Sequence, residues 1–459
     1  MRQLPTSLAD STLPLKPPDG LDLRALVAIL LGVALGSLDT AIANTALPTI
    51  AADLQASPAA SIWVINAYQL AIVATLLPFA ALGDLLGPRR VFLGGLAFFT
   101  VASLACAVAS TLPALAVARA LQGVGASGVM SVNLALIRLI FPASRLGRGV
   151  GLNALVVGVS FALGPTIASL VLSVAVWPWL FAINVPLGMV ALAFALPALP
   201  HTALQPHHFD WLTAVLTATS FAALVLALGA GAQREALPLV FVPLGIAILG
   251  LILLLRRQAD HPAPMLPVDL LRRPMFALST MTSMASFTAQ GLAFVSLPFY
   301  FEQVLHRNPV DTGFLMTPWP IVVALAAPVA GRLSDRYPPG LLGGIGLVIL
   351  SAGLLSLALL SAEPTALTLV LCMVLCGTGF GLFQAPNLKA LMSSAPLQRS
   401  GGASGVIAMA RLMGQTTGAA LVALSFGLAG AHGPIVALAL GAVFAGVASV
   451  ASFARLWAK

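Results

Sequence analysis

Leu38-Asp39-Thr40-Ala41-Ile42-Ala43-Asn44-Thr45-Ala46-Leu47-Pro48 is the stretch on which the reading of this chain turns. It lies inside a long apolar run, and the nearest charges along the chain are Arg24 on one side and Asp53 on the other. A carboxylate placed in hydrocarbon costs roughly 2.5–3.5 kcal/mol on insertion scales, so chains keep one there when it pairs, binds or carries protons. Composition supplies the hydrocarbon. Hydrophobic residues make up 59% of the 459 and charged residues only 8%, with a mean hydropathy of +1.02. Soluble domains carry about 25% charge, so water is not the main solvent. The expected fold class is an all-α polytopic membrane protein, with the lipid bilayer as its principal partner.

Apolar runs fall near 23–47, 60–81, 91–109, 112–137, 150–172, 178–199, 211–230 and 237–255. They continue near 276–300, 312–330, 341–361, 365–388, 402–428 and 434–456, which makes fourteen expected transmembrane helices. Charge checks that count. With the N-terminus inside, eighteen of the twenty-two Lys and Arg fall in cytoplasmic segments, Arg234 and Arg307 fall outside, and Arg119 and Arg411 lie within spans. Both termini are then expected in the cytoplasm. The net charge of +8 reads as a topology signal and not as nucleic-acid binding.

Other chemistry finds little support in the sequence. Residues 1–21 are polar, hold four prolines and lack a signal-peptide core, so they read as a cytoplasmic tail. Cys106, Cys372 and Cys376 all sit in apolar runs and suit packing, and His201, His207 and His208 lack the spacing of a helical metal pair. No metal site is expected. The chain has no Gly-x-x-x-x-Gly-Lys-(Ser/Thr) loop for nucleotide phosphates. With no cofactor, and no catalytic constellation to make it an enzyme, its energy should come from an ion gradient.

Two loops repeat one another. Leu82-Gly83-Asp84 leads to Gly87-Pro88-Arg89-Arg90, and Leu333-Ser334-Asp335 leads to Arg336-Tyr337-Pro338, with the two aspartates 251 residues apart. An internal repeat implies two six-helix bundles with a two-helix insert between them. The expected division is a tail at 1–21, a first bundle at 22–200, an insert at 201–257, a linker at 258–274 and a second bundle at 275–459.

At this point the chain resembles the major facilitator superfamily, in its fourteen-helix drug:proton antiporter branch. The opening stretch is similar to that branch's helix-1 signature, Leu-Asp-x-Thr-(Ile/Val)-Val-Asn-Val-Ala-Leu-Pro, at Asp39, Asn44, Ala46, Leu47 and Pro48, with Ala41 where the signature has threonine. Trp63 and Tyr68 resemble its Trp-x-x-x-x-Tyr pattern, and 82–90 resembles the superfamily's signature loop. Arg119-Ala120-Leu121-Gln122-Gly123 is similar to the helix-4 motif, and Trp177 to Gly188 matches the entry to helix 6. Gly164-Pro165 resembles the core of the antiporter motif, with Ala168-Ser169 in place of its Gly-Gly. The resemblance implies a proton-coupled exporter of drugs or toxic organic compounds in a bacterial inner membrane, most simply a monomer. It also implies gating by Asp84, Arg89, Arg90, Asp335 and Arg336, and a helix bend at Gly164 and Pro165.

Depth arithmetic narrows the charges. At 1.5 Å per residue, Asp39 and Arg119 both come out roughly 20–24 Å above the cytoplasmic surface and can meet. Their pair is expected to couple protons to transport; the alternative is a static ion pair between two helices. Because Ala41 replaces a hydroxyl, the shell around Asp39 is expected to be thin. Arg411 lies near the midplane with Gln415 one turn on, and faces either a central cavity or backbone carbonyls. Asn44, Tyr68, Gln69, Gln290, Phe294, Arg411 and Gln415 are the expected cavity residues for a small-molecule substrate. Two embedded arginines against one embedded aspartate motivate an alternative cargo, an anionic or neutral metabolite. A polytopic enzyme or sensor is the remaining and weakest reading.

Overall fold

Backbone groups in hydrocarbon find no water to bond, so an apolar chain crosses as helix. The computed structural model describes residues 22–141, 146–200, 211–232, 237–258, 268–360, 363–394 and 400–457. The described residues hold eighteen α-helices and no strand. The first half contains α1 (Leu23–Asp53), α2 (Pro58–Ser61), α3 (Trp63–Leu86), α4 (Pro88–Ala107), α5 (Leu112–Ile140), α6 (Leu146–Val174), α7 (Pro178–Ala182) and α8 (Asn184–Ala198). Next come α9 (Trp211–Ala232), α10 (Leu237–Gln258) and the short α11 (Val268–Leu271). The rest is α12 (Pro274–Phe299), α13 (Pro309–Met316), α14 (Pro318–Leu333), α15 (Pro339–Ala358), α16 (Ala366–Ser394), α17 (Ser400–Ala429) and α18 (Gly433–Ala454). The tail at 1–21, the histidine loop at 201–210 and residues 259–267 of the expected linker lie outside the described residues.

Local sequence explains where helices start and stop. Asp22 caps α1 by accepting from the backbone N–H groups of Arg24 and Ala25 at 2.9 and 3.3 Å. Proline, which has no N–H to lose, opens α4, α12, α13, α14 and α15. Between α3 and α4 the chain turns at Gly87 with φ of 86°, a conformation open to glycine and costly to residues with a Cβ. This is why the signature loop needs glycine there.

Eleven described stretches are long and apolar enough to cross a membrane, against the fourteen expected. The difference falls in three places. α17 and α18 fall in one apolar stretch, Val406–Ala454. α12 is not among the eleven: it carries Ser279, Thr280, Thr282, Ser283, Ser286, Thr288 and Gln290. Several of these hydroxyls donate back to the carbonyl one turn earlier, as Thr280 does to Phe276 and Thr288 to Met284. Such a helix is polar by composition while spending its polarity on its own backbone. α9 counts as an apolar helix over its described stretch Trp211–Leu224.

Each half has its own apolar core. The first gathers Leu26, Phe92, Leu96, Phe99 and Leu136; the second gathers Trp319, Leu350, Leu354, Phe380 and Phe383. α9 packs on α10, and also on α3 and α17. A Cβ on Gly229 of α9 would stand 2.8 Å from the Trp63 ring, so α9 is seated directly on that indole. A third core joins the halves at the end away from the basic loops, with Ile42, Leu47 and Ile50 of α1 packed against Leu292, Val295 and Phe299 of α12 and Phe426 of α17.

Candidate functional site

Asp39 and Arg119 meet. Arg119 Nη1 lies 2.5 Å from Asp39 Oδ2, and both side chains are 1% exposed. The expectation of a thin shell around Asp39 is corrected by the structure. Gln122 Nε2 and Asn184 Nδ2 each donate to Asp39 Oδ1 at 2.8 Å, so three donors from two further helices replace the missing hydroxyl. Gln122 stands one helical turn from Arg119 and receives Arg119 Nη1 on its Oε1 at 2.5 Å, while its amide also donates to Ser103 Oγ at 2.8 Å. Arg119 Nε donates to the Val64 carbonyl at 3.0 Å. Every contact on the carboxylate comes from an N–H donor, so the pocket is built around an acceptor-only oxygen pair. Two donors meet Oδ1 and one meets Oδ2.

Arg119 also links this network to open space. Its guanidinium carbon sits 4.2 Å from the centroid of the Tyr68 ring and 5.4 Å from that of Phe181. Tyr68 is at the same time part of the wall of a cavity of about 190 Å³ between the bundles. Gly36, Thr40, Tyr68 and Gln69 line one side, Asn133, Asn153 and Phe161 another, and Arg411 and Gln415 of α17 close it from the second half. Thr40 follows Asp39 in sequence, so the sealed carboxylate and the cavity are separated by one residue of backbone and one aromatic ring.

Four of the seven residues expected in the cavity line it: Tyr68, Gln69, Arg411 and Gln415. Gln290 stands one step back, accepting from Gln415 Nε2 at 3.2 Å. Two placements are corrected. Asn44 is buried at 5% exposure one turn past Thr40, toward the end where α1 packs on α12, with its Oδ1 unpartnered among the described residues. Phe294 is buried in the second core, edge-on to Trp319 with centroids 5.1 Å apart. For Asn44 the cause is depth: residues one turn apart share a helix face yet differ by ~5.4 Å along the axis, enough to leave a small cavity.

The loop residues are also placed. Arg89 donates to the Leu196 carbonyl at 2.5 Å, near the end of α8. Asp335 accepts from Lys389 Nζ of α16 at 2.6 Å, and Arg90 and Arg336 are exposed. Leu196 and Lys389 each belong to the same half as the residue that contacts them. The side chain of Asp84 lies outside the described residues. On α6, a Cβ on Gly164 would come within 2.3 Å of the Ala41 Cβ, and one on Gly313 of α13 within 2.4 Å of the Pro165 carbonyl oxygen. The Gly164-Pro165 pair therefore sits where α1, α6 and α13 converge, and α6 runs on through Pro165 as helix.

Sequence reasoning missed a second polar junction. Arg455, 3% exposed at the end of α18, donates to Asn387 Oδ1 at 2.6 Å and to Ser279 Oγ at 3.2 Å, and also to Ser452. Asn387 in turn donates to Ser283 Oγ at 2.7 Å. The only sequence signal was Asn387 inside an apolar run. Glu302 was missed too. It lies just past the end of α12, with Oε1 buried and unpartnered among the described residues, and burial pushes its carboxyl up to about 8.

Comparison with known proteins places this architecture. The chain is 51% identical over 445 residues to the protein named Uncharacterized transporter YebQ of Escherichia coli (strain K12), covering 95% of this chain and 97% of that one. It is 31% identical to the Riboflavin transporter RibZ of Clostridioides difficile (strain 630), covering 87% of each. It is also 31% identical to the Multidrug resistance protein Stp of Mycobacterium tuberculosis (strain CDC 1551 / Oshkosh), covering 87% of this chain and 75% of that one. Residues 29–419 match the sequence pattern of the Major Facilitator Superfamily. This multi-pass helical membrane protein, with its ion pair beside a cavity between two bundles, belongs to the Major Facilitator Superfamily and is a transporter.

Proposed function

We propose that this transporter is a proton-coupled exporter of amphipathic organic compounds, drugs or toxic metabolites among them, working by alternating access. On this reading it belongs to the fourteen-helix antiporter branch, with α9 and α10 as the insert. It sits as a monomer in a bacterial inner membrane with both termini in the cytoplasm. The likeness to a multidrug resistance protein supports the cargo class. The observation that carries the coupling is the chain of contact from Asp39 through Arg119 to Tyr68, which ends in the cavity wall. Protonation of Asp39 removes the charge that holds Arg119 in place, and Arg119 is stacked on a residue that touches the cargo space. The proton, through Arg119, and the compound, in the cavity, therefore both act at Tyr68.

Everted vesicles under an imposed pH gradient test the reading with a fluorescent amphipathic dye. Wild type should accumulate the dye and Asp39→Asn should not, while both insert to the same level. Gradient-driven transport that survives Asp39→Asn would remove Asp39 from the coupling. Export of a neutral metabolite is the second reading. It is favoured by the uncharged lining of Thr40, Gln69, Asn133 and Asn153 and by the likeness to a riboflavin transporter.

A further inference from the structure

The cavity has one charged residue among its described lining, and it is a cation. Arg411 reaches the wall from α17, and no hydrogen bond or ion pair joins it to any described residue. The nearest acid along the network, Asp39, is sealed behind Tyr68 and already holds Arg119 and two amides. No described lining residue is acidic. Arginine at this depth is costly to keep and is retained where it faces a cavity or an acceptor; here it faces the cavity. The rest of the wall separates into two kinds of surface. Thr40, Gln69 and Gln415 supply neutral polar groups, while Phe99, Val129 and Phe161 are apolar.

We infer that the compound moved carries an anionic group that docks on Arg411 and an apolar body that lies on the aromatic wall. The inference rests on the reading of the chain as an exporter and names its substrate class. A guanidinium with no internal partner offers a planar fork of donors matched to a carboxylate or sulfonate. In a low-dielectric cavity the same charge repels an organic cation of equal size. Charge movement follows from this. One anion leaving in exchange for one proton entering carries two positive charges inward in total, so the cycle is driven by membrane potential as well as by pH. One-for-one exchange of a monovalent cation for a proton carries none.

The test uses purified full-length protein and three probes sharing one ring system: naphthoate, naphthylmethanol and naphthylmethylammonium. Binding is read by thermal stabilisation in a neutral detergent with no gradient present. Naphthoate should stabilise the wild type, and the ammonium should not. Arg411→Gln should weaken naphthoate binding roughly tenfold to a hundredfold, the loss expected for a charge-assisted contact, and Arg411→Lys should recover part of it. Melting of each unliganded variant shows that it folds. Equal or stronger stabilisation by the ammonium, no response to naphthoate, or a naphthoate response unchanged in Arg411→Gln would each overturn the proposal. In proteoliposomes, naphthoate export should accelerate with an inside-negative potential at constant pH, and indifference to potential would also count against it. Binding through Arg411 without proton-driven transport would leave the substrate class standing and remove the coupling. Proton-driven transport of the ammonium would do the reverse.

Discussion

Asp39 and Arg119 are separated by 80 residues in the chain and by 2.5 Å in space, and Gln122, one turn from Arg119 on α5, and Asn184 of α8 complete the carboxylate's shell. A buried pair of this kind adds little net stability, because desolvation consumes most of the attraction. Removing one partner is a different matter. It strands the other charge in a site without water.

Asp39→Asn should therefore destabilise the protein by about 3–5 kcal/mol, the usual penalty for orphaning a buried charge. The double variant Asp39→Asn/Arg119→Gln should recover a large part of that loss without recovering gradient-driven transport. Thermal unfolding of the two single variants and the double variant gives the coupling energy. A double variant no more stable than Asp39→Asn would show that the pair is not what holds Arg119.

Gly164→Val should disturb the closed end between the bundles. A side chain there cannot avoid Ala41 without moving α1 or α6. Leu47 is fully buried in the core that joins the halves. Labelling of Leu47→Cys by a membrane-impermeant maleimide, in a background lacking the three native cysteines, should rise severalfold when Gly164→Val is added. Unchanged labelling would mean that the seal does not depend on this contact.

Asn387→Leu should cost about 2 kcal/mol, because it takes an acceptor from a buried guanidinium and fills the gap with methyl groups. Arg455 would keep Ser279 and Ser452 as partners, and Asn387→Asp, which keeps the acceptor beside the guanidinium, should be far better tolerated. Denaturation in detergent measures both. Equal melting for Asn387→Leu and wild type would reduce the junction to a packing contact.

Glu302 predicts a pH dependence of stability. Burial raises its carboxyl from the usual 4.5 to about 8, so over that interval the folded protein holds a proton that the unfolded chain has released. Stability from this group is fully present below pH 4.5 and is lost as the pH rises through about 8. Glu302→Gln should flatten the slope of melting temperature against pH in that window. A slope that survives the substitution belongs to another group.

The sequence by itself determined the solvent, the helical class and the approximate place of each long helix. Composition and apolar runs are local quantities, and hydrocarbon leaves the backbone no alternative to helix. It also determined that Asp39 and Arg119 stand at the same depth, since helical rise is constant. Only the tertiary structure decided which side chains complete their shell. Gln122 and Asn184 are ordinary polar residues until α5 and the start of α8 bring their amides to Asp39, and no spacing along the chain encodes that meeting. The same holds for Arg411. Depth placed it near the midplane, but its facing was open between a carbonyl and a cavity, because rotation of one helix against its neighbours is set by packing and not by hydropathy. Asn44 and Phe294 mark the limit of a one-dimensional reading. Asn44 lies on a helix that reaches the cavity and is carried past it by a single turn, and Phe294 lies one turn beyond Gln290, which itself stands behind Gln415.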